Sequence, residues 1–377
     1  MPSPFQPEWP NGSAEELLER EPTSSQQEEE EGDMSQVPAR PLTTWSHVAA
    51  MIVAVAVAAC GGNSSQTGAS SATTLSVRLA VFPASMPSLP IFVAKEMGFF
   101  SKNHVDATLN NVNSGSAAVQ ALVAGGVDFT ISTIPQVVNL RDKGTDVRVV
   151  APMYRNFPQD LWCRDQVSIA NAHSYPAVMQ DLKGHSVAIT APGSLTDDMV
   201  KYTEVAANLP TNYMREVAVG AAPNAIAALK AGSVDCAVAY QPMQAQLTAD
   251  HLGRSILSWE KHEGPSAFNS YSYNQVSTTK SYIDGHAAEA KAVRAAISDA
   301  DSYIANPQHA PEIAKAIAKD FPGFDVAVLQ SIISDEISKD VSPTVKPEEV
   351  ANAMKVGLAI GEVQSANLAF NQIVWQG

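Results

Sequence analysis

The chain has 377 residues, 45% hydrophobic, 17% charged and 7% aromatic, with 24 Lys+Arg against 39 Asp+Glu for a net charge of −15. That length suggests about two domains with a substantial core, and the acidic balance argues against a nucleic-acid binder, which needs a basic face. No apolar run reaches the roughly 18 residues of a membrane-spanning helix, which argues against a polytopic helical membrane protein, and three cysteines are too few for a disulfide scaffold or a multi-cysteine metal site.

The charge is unevenly spread. Residues 1–33 carry ten acidic groups and one base, Arg20, a net −9 in a stretch rich in Pro, Ser and Gln. With almost nothing apolar to bury, this extension is expected to be disordered. Residues 34–59 read as a lipoprotein signal peptide. Val48 to Ala59 is a 12-residue apolar run, short for a membrane span and suited to a signal core. It ends in Val57-Ala58-Ala59-Cys60, which resembles a bacterial lipobox, with Cys60 as the lipid attachment site. Residues 60–74 are a polar, flexible linker. A core helix with a chance cysteine is the alternative, but run length, small residues, cysteine and tether together favour the lipoprotein. The region ahead of the apolar run has one arginine, Arg40, and no Arg-Arg pair, so the general secretory route is expected. Met34 would begin a signal of ordinary length and is expected to be the true start. From Cys60 onward 22 bases face 29 acids, a net of −7.

Beyond Thr74 strands alternate with helices: strands at 75–81, 105–109, 127–131 and 147–151, helices at 91–100 and from Ser114 to Ala124. The middle of the chain repeats this, with strands at 186–190 and 234–239 and helices at 197–207 and 223–231. Such alternation predicts βαβ units and a parallel sheet. Ala121-Leu-Val-Ala-Gly-Gly-Val-Asp128 matches Ala228-Leu-Lys-Ala-Gly-Ser-Val-Asp235 at a spacing of 228 − 121 = 107 residues, which reads as a duplicated domain. In each copy the glycine (Gly125, Gly232) is expected to be a left-handed helix cap, and the aspartate a carboxylate bonding backbone amides in preference to a site residue. After a tyrosine-rich extended run, 267–276, helices are predicted at 287–305, 311–320, 326–338 and 347–366, with Val293, Ile297, Ala300 and Ile304 on one face.

Four stretches carry a family resemblance: Leu89 to Phe100, ending Ala94-Lys-Glu-Met-Gly-Phe-Phe; Ala121 to Asp128; Asp181-Leu-Lys-Gly-His-Ser-Val-Ala-Ile189 with Pro192-Gly-Ser194; and Ala228 to Asp235 with Tyr240-Gln241-Pro242. Together they resemble the solute-binding proteins of bacterial ABC importers, in the group for aliphatic sulfonates, taurine, nitrate and thiamine-pyrimidine precursors. The resemblance covers about residues 75–370. It implies an α/β fold of two Rossmann-like lobes with a hinge, the type 2 periplasmic-binding-protein fold. Lobe I is then 75–160 completed by 270–377, and lobe II is 161–269, with crossings near Leu161–Cys163 and Pro265–Ser270. It further implies an extracytoplasmic, lipid-anchored protein, expected to be a monomer, that delivers a small solute to a membrane permease and needs no cofactor.

Ligands of open α/β sheets sit beyond the carboxyl ends of strands, against helix N-termini. That rule selects Ser85, Met86, Ser114, Gly115, Ser132 and Thr133 in lobe I, and Ser194, Leu195, Thr196, Tyr240 and Gln241 in lobe II. The set is hydroxyls and amides with a tyrosine and no charge, so an oxyanion and a neutral heterocycle both stay open. The serines could equally be helix caps. Trp162 could stack on a ligand or sit in the core, and Arg155 and Arg164 could pair with an anion or lie on the surface. Cys163 and Cys236 could form a disulfide or pack as two thiols.

Two other classes compete with this reading. A thiamine-pyrimidine-synthase-like enzyme would need clustered cysteines for iron. This chain has none, its eight histidines are scattered, and it lacks a G-x-S-x-G elbow and a P-loop. No enzymatic activity is therefore expected. A ligand-sensing module on the same fold is indistinguishable from an importer subunit at this level.

Overall fold

A computed structural model describes residues 74–377 apart from Phe157 and Ala366. The acidic extension, the signal segment, Cys60 and the linker up to residue 73 lie outside the described residues. The described residues fall within one compact unit.

The first part of the chain builds β1 (Leu75–Val81), α1 (Leu89–Glu96), α2 (Phe99–Lys102), β2 (Val105–Asn111), α3 (Gly115–Val123), β3 (Thr130–Ser132), α4 (Ile134–Asp142) and β4 (Val147–Pro152). The middle builds β5 (Gln159–Cys163), β6 (Ser186–Ile189), α5 (Leu195–Ala206), β7 (Arg215–Ala218), α6 (Ala222–Ala231), β8 (Cys236–Tyr240), α7 (Met243–Ala249) and β9 (Arg254–Ser258). The last part returns with β10 (Gln275–Thr279), α8 (Lys280–Gly285), α9 (Ala287–Ile304), α10 (Ala310–Ile317), α11 (Val326–Asp335), α12 (Pro347–Ala359) and α13 (Phe370–Ile373).

The two halves share one topology. In lobe II the strand order is β7-β6-β8-β5-β9. In lobe I the pair β1-β2 joins the trio β3-β10-β4 through a parallel bridge between Leu79 and Phe129, which gives β2-β1-β3-β10-β4. Each sheet therefore holds three parallel βα strands and then one intruder. That strand, β5 or β10, runs antiparallel to both its neighbours. The expectation of a purely parallel sheet is corrected on this point. The chain enters each sheet from the opposite lobe, so the entering strand runs against its neighbours, which local βα alternation does not reveal.

The repeated octamer behaves alike in both lobes. Gly125 and Gly232 take φ of +72° and +70°. The amides of Gly126 and Ser233 bond back to the carbonyls of Ala121 and Ala228, at 2.8 and 3.0 Å. This closes the two helices with the same left-handed cap, a conformation that glycine adopts without a Cβ penalty. The carboxylates that follow are structural. Asp128 accepts the Arg78 amide in β1 at 2.8 Å, and Asp235 accepts the Ser186 amide in β6 at 2.9 Å. Each ties the last βα strand of its lobe to the first. Asp235 is held down to about 2 by hydrogen bonds from Ser186, His185 and Arg164, which outweigh its desolvation.

The crossings differ slightly from expectation. β5 already pairs with β8 at Gln159↔Tyr240, so the first crossing precedes Gln159 instead of lying at Leu161–Cys163. The second runs from Trp259 to Asn274. The two strands of chain bond to each other, through the Met153 amide to the Asn274 carbonyl (3.1 Å) and the Tyr273 amide to the Tyr154 carbonyl (3.0 Å). Helix α9 covers lobe I, with the predicted face of Val293, Ile297, Ala300 and Ile304 wholly buried. Cys163 and Cys236 face each other across β5 and β8 and form a buried disulfide.

Candidate functional site

Between the lobes lies a cleft with an empty volume of about 580 Å³, its mouth and open solvent included. Four helices aim their N-termini at it, each with residues at or beside its first turn in the lining. They are α3 (Asn113, Ser114, Gly115), α4 (Thr133, Gln136), α5 (Ser194, Leu195, Thr196) and α6 (Ala221). None of the described lining residues carries a charge. Each helix end contributes about half a positive charge through its unsatisfied amides. On α5 this is offset by Asp197 and Asp198 in the first turn, Asp197 accepting the Gly193 amide at 2.6 Å, so the field that favours an anion comes from α3, α4 and α6.

The hydroxyls are oriented to donate into it. Ser114 caps α3 by accepting the Ala117 amide (3.1 Å), and Thr133 caps α4 by accepting that of Gln136 (3.2 Å). Tyr240 accepts the Ala222 amide at the start of α6, and burial pushes its phenol up to about 12. With lone pairs engaged by backbone amides, these groups retain O–H protons for a ligand acceptor. On α5, Ser194 stands at the cap position without capping. Its hydroxyl joins those of Thr190 and Thr196 in a ring of contacts at 2.8 to 3.0 Å. Ser85 Oγ is buried with no partner. Phe82, Pro83, Pro87, Leu195 and Tyr273 supply apolar wall.

The lobes are closed on this cavity. Ser116 Oγ donates to the Pro192 carbonyl at 2.6 Å, and Gln136 Nε2 to the Gly193 carbonyl at 2.8 Å. A Cβ on Gly115 would come within 3.1 Å of that Gln136 nitrogen, so the glycine clears the path for the latch. On another side the Met86 amide donates to the Gln241 carbonyl (3.1 Å). Gln241 Nε2 reaches both oxygens of Glu336 at 2.9 and 3.0 Å.

Of the eleven residues expected from sequence, nine line the cleft: Ser85, Ser114, Gly115, Ser132, Thr133, Ser194, Leu195, Thr196 and Tyr240. Met86 and Gln241 do not. Met86 is buried with its amide on Gln241, and the Gln241 side chain is committed to Glu336. Ser132 is not a cap, since its hydroxyl donates to Ser277 (2.7 Å) and Thr133 caps α4 instead. Trp162 bonds the Leu252 carbonyl inside lobe II, Arg155 bonds Ser342 and Arg164 pairs with Asp235, so none of the three enters the cleft. The sequence reading missed Gln136, Gln159, Thr190, Tyr273 and Asn274. The first-turn glutamine of a Thr133/Gln136 capping box was a usable signal; the hinge residues Gln159 and Tyr273 had none.

The NMT1-like family matches residues 70–318. No curated protein matches the chain in sequence. Among solved structures, a protein from Bordetella bronchiseptica is 24% identical, with a TM-score of 0.70 over 79% of this chain and 94% of that one. The alkanesulfonate-binding protein SsuA of Xanthomonas axonopodis pv. citri, bound to MOPS, is 16% identical with a TM-score of 0.65, covering 80% and 99%. The periplasmic nitrate-binding protein NrtA of Synechocystis PCC 6803 is 14% identical with a TM-score of 0.59, covering 78% and 86%. With a matched segment that spans well over half the chain and two hinged lobes of one topology, this chain belongs to the NMT1-like family and has the periplasmic-binding-protein fold.

Proposed function

We propose that this protein is the extracytoplasmic solute-binding subunit of an ABC importer, anchored through a lipid on Cys60, which captures a small organic oxyanion between its lobes and hands it to a membrane permease. The observation that carries the reading is the uncharged cleft, where four helix N-termini converge with hydroxyl donors on a partly apolar cavity. An oxyanion gains from the ends of α3, α4 and α6 at once, whereas a neutral heterocycle does not. The names of two similar structures, an alkanesulfonate-binding and a nitrate-binding protein, support the class. A disulfide between Cys163 and Cys236 suits an oxidising compartment outside the cytoplasm.

Closure follows from contacts on both walls. A ligand that touches Ser114 and Thr133 in lobe I and α5 in lobe II binds the closed form better than the open one, so it shifts the population towards closure. The closed form is then the species that docks on the permease, as a monomer.

The test is a thermal-shift panel of sulfonates, taurine, nitrate and pyrimidines on the full-length protein. A true ligand at about 100 times its Kd adds roughly 2.7 kcal/mol of stability. Stabilisation by a pyrimidine with none by any anion would overturn the oxyanion reading.

A further inference from the structure

Gln159 opens β5 at the floor of the cleft, directly opposite Tyr240 in the ladder with β8. Its side chain is 2% exposed and its two ends are used unequally. Nε2 donates to the Tyr273 hydroxyl at 2.7 Å, while Oε1 is buried with no partner. No described polar group donates to it. Ser114 and Thr133 cap their own helices, Tyr240 at the end of β8 accepts the Ala222 amide of α6, and Gln136 Nε2 is committed to Gly193. A carbonyl oxygen sealed from water and left unpaired is costly. In a ligand cleft the missing donor is one that arrives with the ligand.

We infer that Gln159 is a specificity residue whose Oε1 accepts an N–H or O–H carried by the ligand, so that the cleft selects small organic anions bearing an amino or hydroxyl group over those that lack one. The inference rests on the oxyanion reading above and adds a second pole to it: the anionic group meets the helix ends, and the donor meets the hinge. Sites built around a ligand hydrogen bond reject analogues that lack it more strongly than apolar pockets reject a missing methylene.

Calorimetric titration of the full-length protein with taurine, isethionate and ethanesulfonate tests it. The three share a two-carbon sulfonate and carry an amine, a hydroxyl or neither. Taurine or isethionate is expected to bind at least about tenfold more tightly than ethanesulfonate. Gln159→Met should erase that preference while leaving ethanesulfonate binding in place. Gln159→Glu, which keeps an acceptor, should retain the preference for taurine. Melting curves of the unliganded variants establish that both fold. Equal binding of all three by the unaltered protein, or a preference that survives Gln159→Met, would overturn the role of Gln159 alone. Binding of none of the three while another anion of the panel binds would overturn this inference and leave the oxyanion reading in place; binding of no anion at all would overturn both.

Discussion

Replacing Cys163 and Cys236 together with alanine should weaken lobe II selectively. The bond closes a loop of 73 residues in sequence. In the chain-entropy treatment, releasing a loop of that length returns about 4 kcal/mol of freedom to the unfolded chain at 25 °C. The loop contains β6, α5, β7 and α6, and its ends are fixed in β5 and β8, so the loss falls on the sheet that carries Tyr240. Urea unfolding followed by tryptophan fluorescence is a suitable assay, because Trp162 and Trp259 are buried in or beside that sheet. With a urea slope of about 3 kcal/mol/M the midpoint should fall by more than about 1 M. The unreduced, denatured protein should show no thiol from Cys163 or Cys236. A midpoint shift below about 0.3 M, equivalent to under 1 kcal/mol, or titration of the Cys163 and Cys236 thiols without reductant, would refute the reasoning.

Three further outcomes are expected. Tyr240→Phe and Ser194→Ala should each weaken ligand binding by about tenfold, the usual scale of one buried hydrogen bond to a charged group, with melting temperatures little changed; unaltered affinity in both would remove the cleft assignment. Asp198 on α5 and Glu362 after α12 face each other across the lobes, and both carboxyls are raised, first by burial; Glu362 and Asp197 raise Asp198 further, whereas on Glu362 the Asp198 hydrogen bond opposes the rise and Asp197 adds to it, with Lys201 opposing in both. Tyr271 and Lys143 also face the pair. A raised carboxyl is favourable while protonated, so closure should weaken as pH climbs above the ordinary carboxylate value of about 4.3; Glu362→Gln should flatten the pH dependence of ligand affinity, and an identical profile in the variant would count against the shared proton. Gly253→Ala should cost about 2–4 kcal/mol in urea unfolding, since that residue sits at φ +93° and a Cβ there would fall 2.1 Å from the Cys163 carbonyl.

Local signals located the site more completely than the sheet order. Gly125, Gly232 and the strand-end serines obey rules that act within a few residues, and nine strand-end positions do line the cleft. Met86 and Gln241 obey the same positional rule yet lie outside it, because Gln241 is taken by Glu336, 95 residues away in sequence. Gln159 and Tyr273 are invisible to such rules. Each acquires its place only when the chain crosses between lobes, and a polar residue at the start of a strand carries no local mark of that. The pairing of Cys163 with Cys236 was likewise undecidable until β5 was seen to enter the lobe II sheet beside β8. Residues that depend on a crossing strand are legible only after the topology is known.

The intruding strands also set an order of assembly. In lobe II the intruder, β5, is made first, and every strand of that sheet lies between Gln159 and Ser258. In lobe I the intruder, β10, separates β3 from β4 and is made after all of lobe II. The N-terminal lobe therefore cannot complete its sheet while the chain is still emerging: β3 can join β1, but the edges of β3 and β4 that face β10 must wait for a strand that comes late. The lobe that is synthesised second can be finished first, and it can then serve as the solid body against which the older half completes itself.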